Sequence, residues 1–131
     1  MSVFGNYAPG QVADAAEKFI SKMDEGELAR AIEQSERTMS AASRSQLVEA
    51  IFEAFRHRGE SSDDVVEGAG TTMDAVHNGD QSAVRALLTY ANTNAGLLKE
   101  ATTALIERHP MVTGELDPSL ARGIAQRLPG R

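Results

Sequence analysis

Three histidines, His57, His77 and His109, are the side chains of this sequence whose types and spacing could do chemistry. A neutral imidazole ligates metal ions and moves protons near neutral pH. Glu53 lies four residues before His57 and Asp74 three before His77. On helices each pair would share a face and could meet one ion. Carboxylate-bridged two-metal bundles, however, use two Glu-x-x-His pairs and two further glutamates. This chain has no Glu-x-x-His, and its one pair at that spacing is Asp74 with His77. The histidines also share a context: His57 and His77 stand two residues before Gly59 and Gly79, and His109 directly precedes Pro110. That places all three in the last turn of a helix, where a cation interacts with the dipole and free carbonyls by roughly 0.3 to 1 kcal/mol each. The expectation is structural histidines and no assigned metal ligand. A metal-binding helical protein is the second alternative.

Other catalytic patterns are incomplete. Gly68-Ala-Gly-Thr-Thr72 offers glycines on which backbone N-H groups could converge around an anion, but no Lys follows and Asp63 and Asp64 precede it. A phosphate loop needs that Lys, and a dinucleotide fingerprint needs a third glycine and a preceding strand. No G-x-S-x-G elbow, H-E-x-x-H helix or EF-hand spacing occurs, and with no cysteine there is no thiolate chemistry. The chain therefore reads as non-catalytic, with no cofactor.

Glu27 to Ser40, E-L-A-R-A-I-E-Q-S-E-R-T-M-S, resembles the helix-turn-helix pattern of bacterial regulators. Leu28 and Ala29 would lie on the first helix, Ser35 would open the second, and Arg37 and Arg44 would reach bases or phosphates. The resemblance implies a DNA-binding regulator over residues 27–44. Glu33 stands where such a turn usually carries glycine, at a cost of roughly 1 kcal/mol, and Glu25, Glu27, Glu33 and Glu36 surround the site. A net charge of -6 also disfavours nucleic acid as a partner.

The reading that remains is an adaptor, a protein-interaction or regulatory domain that binds another protein or a second copy of itself. Its candidate contacts are the cationic cluster Arg56-His57-Arg58 and the aromatic pair Phe4 and Tyr7 on an N-terminal arm. No run approaches the ~20 apolar residues of a membrane span, the N-terminus lacks a basic cluster followed by an apolar stretch, and the absence of cysteine fits a reducing compartment. These features predict a cytoplasmic protein without membrane contact.

The elements that must position these residues are helical. Ala, Leu, Glu and Arg dominate, and alternating runs of Val, Ile and Thr are missing. The 131 residues suit one all-α domain, a compact bundle of six to seven short helices, with residues 1–8 as an arm and 129–131 as a tail. Ser43 to Gly59 is the strongest segment and is expected to be the centre of the bundle: Leu47, Val48, Ile51, Phe52 and Phe55 fall on one face, with Ser43 as its cap. Before it, Pro9 opens a first helix and Asp24 caps a second that ends near Arg37. After it, Ser62 is the expected cap of a helix whose Gly68 and Gly70 mark either a close crossing or a break. Asp80 caps the next, Asn94 is expected to cap a helix stopped by Pro110, and Asp117-Pro118 opens the last. Whether 80–108 is one kinked helix or two stays open. Leu28-Ala-Arg-Ala-Ile32, Leu47-Val-Glu-Ala-Ile51 and Leu120-Ala-Arg-Gly-Ile124 share a phrase with a small residue three after Leu, which suits close helix crossings.

Overall fold

Most of the helices begin where a side chain can accept the free N-H groups of the first turn. In the computed structural model, which describes residues 7–129, Asp24 accepts from Gly26 and Glu27, Asp80 from Ser82 and Ala83, and Asp117 from Ser119. The resulting α-helices are α1 (Pro9–Ile20), α2 (Glu25–Thr38), α3 (Ala41–His57), α4 (Ser62–Ala69), α5 (Met73–His77), α6 (Gln81–Asn92), α7 (Leu97–Arg108) and α8 (Pro118–Ala125), with a 3-10 helix at Pro110–Glu115. The fold is all-α, with one more α-helix than expected and no strand among the described residues.

Several caps differ from those read in the sequence. Ser40, not Ser43, caps α3, and it does so by accepting the N-H of Ser43 itself. Ser61 rather than Ser62 caps α4. Gly70 takes a left-handed conformation at φ 77° and ends α4, and Thr72 starts α5, so Gly70 marks a break, while Gly68 stays inside α4. Residues 80–108 form two helices. The cap of α7 is Gly96, again left-handed, while Asn94 donates to the Tyr90 carbonyl at the end of α6.

The five apolar residues of α3 are all buried, as their spacing requires. The most extensively packed helix is nevertheless α7, which meets α3 and α1 over the largest contacts of the fold and also touches α2, α6 and the 3-10 helix. Its Leu97, Leu98, Ala101, Leu105 and Ile106 are buried together with Thr102. The shared Leu-x-x-small-Ile phrases all point into the core, and at Gly123 the reason for a small residue is direct: a β-carbon there would overlap the ring of Phe19 on α1. Gly68 plays the same part for Tyr90, whose ring would lie 2.7 Å from an added β-carbon and is stacked on Phe55. No helix is long and apolar enough to cross a membrane among the described residues.

The 3-10 helix is tied back to the turn between α2 and α3. Glu115 accepts from the Ser40 N-H at 2.9 Å and from the Ser43 hydroxyl at 2.6 Å. The Ser43 hydroxyl bond, followed by that of the Ser40 amide, holds the Glu115 carboxyl below the usual carboxylate range. Beside it the Asp117 N-H donates to the Ser35 hydroxyl at 2.7 Å.

Candidate functional site

Because α7 turns six residues of its length inward, its other positions must face out, and neighbouring helices cover them only in part. Glu100, Thr103, Ala104 and Glu107 form this outward stripe, with α1 on one side and α3 on the other. Between α1 and α7 lies a cavity of about 460 Å³ with Ile20 and Ala104 in its wall and Glu17 across from the stripe. Between α3 and α7 lies a second, of about 200 Å³, opened by the small side chains of Ala50, Ala54 and Ala104. Both are lined by Glu100, Ala104 and Glu107, so they flank the stripe on its two sides. The start of α7 meets the end of α1, where Lys99 donates to the Ser21 carbonyl at 3.2 Å.

Charges on the α3 side are spent on each other. The His57 Nδ1 meets Glu100 Oε2 at 2.8 Å while its Nε2 stands 3.9 Å from Glu53 Oε1. Arg108 forks onto the two oxygens of Glu53. That guanidinium holds the Glu53 carboxyl below the usual range, and Glu53 in turn raises Arg108. Arg58 donates to the Ala95 carbonyl at 2.9 Å and lies 3.8 Å from Glu100. Glu25 accepts from the Gly96 N-H, fixing the α6–α7 turn from the start of α2. Glu17 and Glu107, by contrast, are exposed and have no ion-pair partner among the described residues.

The histidines sit where the sequence places them, His57 and His77 ending α3 and α5 and His109 at the C-cap of α7. The two nitrogens of His57 face separate carboxylates, and no group of three or more His, Asp or Glu residues that could hold a metal occurs among the described residues. Of the cationic cluster, His57 and Arg58 are engaged by α7 and its preceding turn, and exposed Arg56 donates to the Ser62 hydroxyl at 3.3 Å. Tyr7 packs on the core and its hydroxyl donates to the Pro129 carbonyl at 3.1 Å, whereas Phe4 lies outside the described residues.

The local geometry required by the helix-turn-helix pattern is replaced by a single helix. α2 runs without interruption through Glu33, and Ser35 is buried inside it with its hydroxyl donating to the Ala31 carbonyl. Arg37 is exposed on the last turn of α2, and Arg44 folds back onto the Met39 carbonyl. Glu36, one of the four glutamates read as surrounding that site, is fully buried. Neither of its oxygens has a hydrogen-bond partner, and Arg85 on α6 is its nearest cation at 3.8 Å.

The groove was not visible in the sequence because Glu17 and Glu107 are 90 positions apart. The only local trace is the alanines at 50, 54 and 104, which leave room between α3 and α7. No family model matches the chain, and no curated protein or solved structure matches it either.

Proposed function

We propose that this chain is a non-catalytic protein-interaction or regulatory domain, working in the cytoplasm, that receives a partner protein along the outward stripe of α7. The observation that carries the reading is the pair of cavities flanking that stripe. Binding grooves combine apolar walls with a few polar groups that fix orientation, and here Ala104, over buried Ile20, supplies the first and Glu17, Glu100 and Glu107 the second. On the α3 side of the stripe the Glu53–Arg108 and His57–Glu100 pairs link the two helices that bound the smaller cavity. A cysteine-free chain is compatible with a reducing compartment. Site-specific photocrosslinking in the source cell tests the proposal, with the reactive group placed at Thr103 inside the groove and, as control, at exposed Glu67 on α4.

A further inference from the structure

The groove differs in charge along its two sides, and this difference specifies what fits it. On the α3 side two carboxylates have cations: Glu53 has Arg108, and Glu100 has His57 and Arg58. On the α1 side Glu17 and Glu107 stand on opposite walls of the larger cavity without an ion pair, and Lys99, the one cation lining it, is directed at the Ser21 carbonyl. Ala104 is half-buried in the wall, over Ile20, which is itself fully buried. An occupant must therefore offer an apolar side chain to Ala104 and positive charge to Glu17 and Glu107.

We infer that the α1–α7 groove takes a cationic amphipathic segment of a partner protein, with an aliphatic side chain seated against Ala104 and Lys or Arg residues paired to Glu17 and Glu107. The inference rests on the proposal that the groove is the interaction site. A helix with apolar residues on one face and cations beside them has the required arrangement, since positions three and four apart share a face. Its basic flanks complement the local acidity, which speeds encounter and selects against acidic partners. The same acidity disfavours a second copy of this chain, whose net charge is -6.

The test uses the full chain and a fluorescent amphipathic peptide of Leu and Lys, with a Leu and Glu counterpart as control, followed by fluorescence anisotropy. The Leu/Lys peptide is expected to bind, more weakly as salt rises, and the Leu/Glu peptide not to. The double variant Glu17→Gln, Glu107→Gln should lose roughly two- to thirty-fold in affinity, the range for two partly exposed ion pairs. Glu27→Gln with Glu67→Gln removes the same net charge from α2 and α4, which do not line the groove, and should leave affinity within about two-fold. Ala104→Phe, which fills the groove from a half-buried position, should abolish binding with an unchanged melting temperature. Equal losses in the two charge variants would mean attraction by net charge alone and would overturn the inference. Binding that is lost in Ala104→Phe but indifferent to Glu17 and Glu107 would keep the groove and overturn its cationic specificity. Binding that survives Ala104→Phe would overturn the groove as the site altogether. A dimer of the free chain that Ala104→Phe dissociates would put a second copy there instead and equally overturn the inference.

Discussion

Replacing Glu36 by leucine should make this protein more stable, and the size of the gain follows from its surroundings. The side chain has no exposure to solvent, and Arg85 at 3.8 Å is the partner the fold gives it. At an effective dielectric constant of about 20 that separation is worth roughly 4 kcal/mol of attraction. Arg85 is itself 47% exposed, so water screens a good part of that attraction. Against it stand several kcal/mol for taking the carboxylate out of water, which no hydrogen bond to either oxygen offsets. The charge is thus a net cost, and an aliphatic side chain of similar volume should stabilise the fold by about 1 to 4 kcal/mol. In melting temperature this is roughly 3 to 5 °C per kcal/mol for a chain of this length. Glu36→Gln should gain less, because an amide still leaves buried polar atoms without partners. Urea unfolding followed by circular dichroism reads these differences, and a double-mutant cycle with Arg85→Ala isolates the pair. Arg85→Ala should destabilise the wild type and have almost no effect beside Glu36→Leu. A Leu variant less stable than wild type by more than about 1 kcal/mol, with unchanged helicity, would refute the reasoning and mean that the pair more than offsets its desolvation.

Gly123→Ala should destabilise despite the helix-propensity gain of about 1 kcal/mol, because the new methyl overlaps the Phe19 ring and overpacking costs about 1 to 3 kcal/mol. Phe19→Leu in the same chain should recover part of the loss, and thermal melts of the two variants check both statements. Glu115→Gln should lower stability by about 1 kcal/mol at pH 7, since a charge-assisted acceptor of the Ser43 hydroxyl and Ser40 N-H becomes neutral. The Glu115 carboxyl titrates below its ordinary value of 4.5 when folded, so its contribution is complete above that value and disappears as pH falls through the lower folded one. The stability gap between wild type and Glu115→Gln should accordingly close below pH 4.5, and urea midpoints across that range decide whether it does.

What the sequence disclosed is what short-range chemistry controls. The α3 face was legible because its apolar residues repeat at helical spacing, and the starts of α2, α6 and α8 because Asp24, Asp80 and Asp117 precede helical runs. Ser40 and Ser43 compete for one role within three residues, and the outcome depends on Glu115, 72 positions from Ser43, which takes the Ser43 hydroxyl. Gly96 caps α7 because Glu25 holds its N-H from another helix. The centrality of α7 was hidden for a related reason: its apolar residues resemble those of other helices, and only the extent of its packing against α3 and α1 makes it the hub. The resemblance to a helix-turn-helix failed at Ser35, whose hydroxyl is drawn inward to Ala31 and Asp117 instead of opening a helix. Glu17 and Glu107 carry no local signature at all, because their relation exists only once α1 lies along α7.

The claim that α7 presents a protein-binding groove is tested most directly by crosslinking inside the source cell. With a photoreactive side chain at Thr103, the proposed function predicts one dominant protein adduct, weakened by Ala104→Phe, and none from the same group at Glu67. Equal adducts from both positions, or adducts from Glu67 alone, would contradict it.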